Sequence, residues 1–224
     1  MRAVPRRYRF AAARMAAETL RPFVRRSTLF REHRRLGMDT DREVALHHAL
    51  KSMTSSGTPF DPPMTIVNVG QLDDALAAGR GVFFATTHMV LAPVALRYLH
   101  DRGIIAFVVA SSPPAIIGTG AHAHDIAPSP ESLLQVRSVL REGGALMAMI
   151  DLAEPSPRTI EFETAAGTLC IRDTLLRLAQ RCGAAIFFVA AHAQSRGGIL
   201  VTLEMSGADP VAEFVAFVRT HARG

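Results

Sequence analysis

Gly79-Arg80-Gly81-Val82-Phe83-Phe84-Ala85-Thr86-Thr87-His88 is the stretch on which the fold turns. Two glycines end whatever precedes it. Val82 to Ala85 is then apolar without alternation, the pattern of a short strand covered on both faces. The strand, Val82–Thr86, delivers Thr86, Thr87 and His88 just before a helix expected over Leu91–Asp101 and closed by Gly103. In open α/β sheets the reactive groups collect at such C-terminal strand ends.

Working outward, the same alternation of strand and helix recurs. Strands are expected at Met64–Val69, Ile104–Ala110, Ala145–Ile150 and Ala184–Ala191, and alternating, half-exposed ones at Thr159–Thr164 and Ile199–Glu204. Helices are expected at Leu72–Ala78, Pro130–Arg141, Cys170–Arg181 and Pro210–His221, most of them stopped by glycine. The fold class is therefore α/β, a mixed and mostly parallel sheet flanked by helices, with its antiparallel or edge part near residues 160 and 200. Upstream, Tyr8–Phe30 reads as a helix broken by Pro22, and Asp39–Met53 as a second helix capped by Asp39 or Thr40. The Ser-, Gly- and Pro-rich Ser55–Pro63 separates a helical arm, residues 1–55, from an α/β domain, residues 64–224.

The chain has 224 residues, 49% hydrophobic and 20% charged, which is the composition of a folded globular protein. Its formal charge of +5 is unevenly placed. Residues 1–35 hold eleven arginines against Glu18 and Glu32, a net of +9, which leaves 14 basic and 18 acidic residues elsewhere, a net of −4. A basic arm interleaved with Phe10, Met15 and Leu20 suits either an anionic membrane surface or a helix packed on its own domain with solvated arginines. Nucleic acid is the less expected partner. No apolar run is long enough to span a bilayer and no signal-peptide pattern opens the chain, so a cytoplasmic, peripheral location is expected. Cys170 and Cys182 cannot form a disulfide framework and read as core residues on one helix. His122 and His124 share one face of an extended segment but lack a third ligand, so no metal site is expected. His192 ends an apolar strand and is read either as a core histidine or as a pocket residue.

The run 79–88 resembles the opening motif of the lysophospholipid acyltransferase superfamily, in particular its lipid A biosynthesis (lauroyl/myristoyl) branch. Leu140-Arg141-Glu142-Gly143-Gly144-Ala145-Leu146-Met147-Ala148-Met149-Ile150-Asp151 resembles that branch's helix, glycine, strand and Asp block. Gly167, Leu178-Ala179 and Gly183-Ala184 resemble its later segment, and the likeness runs over residues 64–204. It implies a glycerol-3-phosphate acyltransferase-like fold and transfer of a fatty acyl group to a hydroxyl or amine of an amphiphilic acceptor. The donor would be an acyl carrier protein or coenzyme A thioester, with no metal or redox cofactor, at the cytoplasmic face of a bacterial inner membrane.

Such chemistry needs a base near neutral pH to take the acceptor's proton, and imidazole has the right unperturbed pKa. His88 fills that role. The family places a carboxylate five positions after this His to orient the ring, but that position here is Pro93, and residues 89–93 carry no polar side chain. Asp151 is the expected replacement, ahead of Asp125 and Glu154. Thr86 and Thr87, with the amides after His88, are expected to stabilise the oxyanion, and Met89, with Val90 and Leu91, to line the acyl chain's entry. The family's Arg-bearing acceptor block has no counterpart in residues 111–120, which leaves Arg158 and Arg172 to meet an anionic headgroup. Loss of the motif acid also motivates an alternative, a non-catalytic relative that binds lipid or partners an active enzyme.

Overall fold

The Val82–Ala85 run is apolar throughout because it lies near the middle of a seven-stranded sheet covered on both faces. In the computed structural model the described residues are 5–24, 40–55, 59–111, 114–129, 131–152, 159–165, 167–195 and 197–221. Among them the chain forms α1 (Arg6–Val24), α2 (Asp41–Ser55), β1 (Met64–Val67), α3 (Val69–Ala77), β2 (Val82–Thr86), a 3-10 turn (Ala92–Val94) and α4 (Ala95–Asp101). Next come β3 (Ala106–Val109), β4 (His124–Ile126), α5 (Ser132–Arg141), β5 (Ala145–Met149), β6 (Asp151–Leu152), β7 (Ile160–Thr164) and β8 (Gly167–Ile171). The last elements are α6 (Thr174–Arg181), β9 (Ala185–Ala193), β10 (Ile199–Met205) and α7 (Pro210–His221).

The main sheet has the order β1-β10-β9-β2-β5-β3-β4. Strands β9, β2, β5, β3 and β4 are parallel to one another. Among the described strands of this sheet the direction reverses between β9 and β10, and β1 lies parallel to β10. A smaller antiparallel sheet, β6-β8-β7, adjoins it. The architecture is therefore α/β, with a mixed and mostly parallel sheet.

The two-residue period of a strand divides its side chains between two cores. Val82 and Phe84, Ala145 and Met147, and Phe187 and Val189 enter one core with α1, α2 and α4. Phe83 and Ala85, Leu146 and Ala148, and Ile186 and Phe188 enter the other with α5, α6 and α7. Phe83, Phe84, Phe187 and Phe188 are all at most 2% exposed, each burial worth on the order of 2 kcal/mol.

Several elements differ from the sequence expectation, each for a local reason. The first helix does not break at Pro22 but continues to Val24, since a proline this near the C-terminal end removes a single backbone hydrogen bond; the expected residues 25–30 lie outside those described. Val69 belongs to α3, because Asn68 adopts a left-handed conformation (φ 64°) that ends β1 and starts the helix. The helix expected from Cys170 begins only at Thr174, and Gly167–Ile171 is strand β8, paired with β7 from Ile160↔Ile171 to Thr164↔Gly167. Cys170 and Cys182 therefore do not share a helix. The helix expected from Leu91 opens as a 3-10 turn around Pro93. Residues 124–126, read as loop, form edge strand β4.

Contacts cross the stretch expected to separate arm from domain. Phe60 is fully buried, its amide donates to the Gly118 carbonyl at 3.1 Å, and Phe10, Ala13 and Ala17 of α1 join the same core as β2 and β9. Buried Arg97 ties this region down, donating to Asp61 at 3.0 Å, Asp101 at 2.6 Å and the Phe60 carbonyl at 3.2 Å. Among the described residues no helix is long and apolar enough to cross a membrane.

Candidate active site

Strands β2 and β5 run side by side in the same direction, with Thr86 opposite Met149. Their C-terminal ends therefore lie at the same edge of the sheet, and the Ile150 amide donates to the Thr86 carbonyl at 3.0 Å to hold the two exits together. His88 and Asp151, sixty-three residues apart, meet there.

Asp151 grips residue 88 twice. His88 Nδ1 lies 2.8 Å from Asp151 Oδ1, and the His88 backbone amide donates to Oδ2 at 3.1 Å. The Asp151 side chain is fully buried, whereas that of His88 is 48% exposed. A carboxylate can only accept, so Nδ1 carries the hydrogen and Nε2 of the neutral ring is left as a proton acceptor. The hydrogen bond that His88 donates to Asp151 raises the His88 pKa above its ordinary value; burial opposes this, and the Asp151 charge adds to it.

The burial of Asp151 is set by its backbone. It opens β6, pairs with Ile171, and so passes from the main sheet to the small one at the point where its side chain faces His88. The Arg172 amide donates to the Ile150 carbonyl at 2.9 Å, which brings exposed Arg172 to this corner as well. Arg158 and Glu154 lie outside the described residues, and Asp125 sits on β4 at the far edge of the sheet, away from β2.

The remaining expected residues are placed less simply. Thr86 is fully buried and its hydroxyl donates to the Val189 carbonyl at 2.9 Å, clamping β2 to β9. Thr87 is 2% exposed, and its Oγ1 has no partner among the described residues. Of the amides after His88, expected to serve an oxyanion, that of Met89 is engaged with the Thr87 carbonyl at 2.6 Å and that of Ala92 with the Met89 carbonyl at 3.1 Å. Met89, Val90 and Leu91 are at most 4% exposed and belong to the two cores. They meet a ligand only if the turn after His88 shifts. Pro93 lies in the 3-10 turn that this buried triplet leads into.

A second histidine–carboxylate pair was not visible in the sequence. His192, at the end of β9, places Nδ1 3.1 Å from Glu43 Oε1 of α2, and the Ala193 amide donates to the same oxygen at 3.0 Å. The local signals were His192 at the end of an apolar strand and the Thr40-x-x-Glu43 spacing of a capping box, in which the Thr40 amide donates to Glu43 at 2.8 Å and the Glu43 amide to the Thr40 hydroxyl at 3.3 Å.

No protein-family profile matches the chain, and neither does any curated protein.

Proposed function

We propose that the chain is an acyltransferase of the lysophospholipid acyltransferase type, with a glycerol-3-phosphate acyltransferase-like fold, and that His88 is its general base. The observation that carries this reading is the buried Asp151 carboxylate held 2.8 Å from His88 Nδ1, in the role that the motif acid would otherwise fill. The donor is an acyl carrier protein or coenzyme A thioester. As the acceptor's hydroxyl or amine attacks the thioester carbonyl, His88 Nε2 takes its proton. The tetrahedral intermediate then collapses with cleavage of the C–S bond, and the imidazolium returns the proton to the departing thiolate. Asp151 fixes the tautomer and stabilises the transient cation. Thr87 Oγ1, buried and unpartnered among the described residues, is a hydroxyl that would donate to the oxyanion once the turn after His88 shifts. Arg172 at the same corner suits an anionic headgroup on the acceptor.

The acceptor is amphiphilic and met at the cytoplasmic face of the inner membrane. The basic N-terminal arm supplies the attachment: Tyr8 and Met15, 52% and 68% exposed, stand among arginines on the outer stripe of α1.

Mass spectrometry of lipids and small amphiphiles from cells expressing wild type and His88→Ala tests the reading. An acylated species present with wild type and missing with His88→Ala is expected; identical profiles overturn it. The engaged amides of Met89 and Ala92 favour a second reading, a lipid-binding relative without catalysis. It requires those identical profiles together with retained binding of acyl chains.

A further inference from the structure

The Glu43–His192 pair stands apart from the His88 site and does something different with its second nitrogen. His192 is 3% exposed, its Nδ1 faces Glu43, and its Nε2 is buried without a partner among the described residues. Such orphaned polar atoms are uncommon in folded proteins and call for a partner. The ring forms part of the wall of a cleft of about 690 Å³, a size typical of organic ligand sites, shared with Arg21, Arg42, Thr40, Gln194 and Ser195.

Among the described residues, the charged side chains that line this cleft are Arg21 and Arg42. Arg42 Nε lies 3.0 Å and Arg21 3.6 Å from the same Glu18 carboxylate, so two guanidiniums share one counter-charge. Glu43 does not line the cleft: its carboxylate is buried against His192, Ala193 and the capping box. Burial alone would raise the Glu43 carboxyl, yet hydrogen bonds from His192, Thr40 and Ala193 and the charge of His192 hold it below its ordinary value. It therefore stays ionised and keeps the imidazole turned. The N-terminal end of the fifteen-residue α2 adds its positive dipole at the same place.

We infer that this cleft binds a phosphate monoester. Arg21 and Arg42 donate to two of its terminal oxygens, and His192, whose Nδ1–H is given to Glu43, presents Nε2 as the acceptor for a P–OH on the third, a donor that a carboxylate bound by both arginines lacks. The room beyond the donors accommodates the organic part of the ester. Gln194 and Ser195 line the same cleft. The site does not depend on His88 being a base.

Isothermal titration of the full chain with inorganic phosphate and with phenyl phosphate tests this. Saturable binding of both is expected, weakened about tenfold or more by Arg42→Gln and by His192→Gln, as loss of a charge-assisted hydrogen bond implies. Ser195→Asp, at an exposed position where folding is not at stake, should weaken it similarly by repulsion. Arg80→Gln, in a separate cleft beside Gly183, should leave it unchanged. Vesicles containing phosphatidic acid separate the two sources of the ester: retention reversed by phenyl phosphate marks a lipid-borne group, and titration by phenyl phosphate without such retention marks a soluble one. Absence of saturable binding by wild type, or equal binding by wild type and Ser195→Asp, overturns the assignment. So does retention on vesicles that phenyl phosphate does not reverse when phenyl phosphate itself fails to titrate.

Discussion

Asp151 holds both the ring and the backbone of His88, and the consequence is a pair of opposite pH trends. The folded-state pKa of His88 is raised, so the stabilisation from this pair is fully present below the unfolded value of about 6.5 and is lost as pH rises through the folded value. Catalysis needs the neutral ring, so activity should rise across that same window, with an acid limb centred above about 6.5. In Asp151→Asn the limb should move down and kcat fall about a thousandfold, because the amide does not impose the tautomer; an unmoved limb would show that another group governs the profile. The sequence made this pair legible because each member directly follows an apolar strand. It marked His192 in the same way but could not pair it with Glu43, which is 149 residues away on a helix and carries only a capping signal.

At the scale of elements, β2 reaches its place only because Gly81 lets the chain pass close under α5. A Cβ on Gly81 would lie 2.0 Å from the Leu140 carbonyl oxygen, backbone that cannot swing aside. Gly81→Ala should therefore cost about 2 kcal/mol or more, read as a lower urea midpoint at unchanged slope. Strands with continuous apolar runs were legible, and so were helices ended by glycine. Gly167–Ile171 was not, because Leu169, Cys170 and Ile171 continue smoothly into the apolar positions of α6, and only pairing with β7 makes them a strand. Edge strand β4 was missed for the opposite reason: exposed His124 and Asp125 give no apolar signal, and its pairing to β3 is long-range backbone bonding.

For the molecule as a whole, part of the charge asymmetry is carried by a helix that is also structural, α1 holding five of the eleven arginines of residues 1–35. Phe10, Ala13 and Ala17 of α1 are buried, while Tyr8 and Met15, two turns apart, face outward. Removing the arm would open the core, so the membrane role is better tested by Met15→Glu. That variant should keep its thermal midpoint and lose much of its affinity for anionic vesicles in sedimentation; full retention would place the contact elsewhere. Charge distribution was legible from composition, but the packing of α1 onto the sheet was not, since arginines on either side of an apolar stripe are compatible with lipid and with protein alike.

The strand order has a consequence for the chain as it is being made. Strand β1 has its sheet partner in β10, which begins more than 130 residues later, and β2 has one neighbour, β9, about a hundred residues downstream. During synthesis from the N-terminus, β2 can gain β5 while its other edge, among the most apolar in the protein, waits for β9 to emerge. A ribosome paused between Ile171 and Ala185 would thus present an open, sticky sheet edge, the species that chaperones hold and that otherwise aggregates.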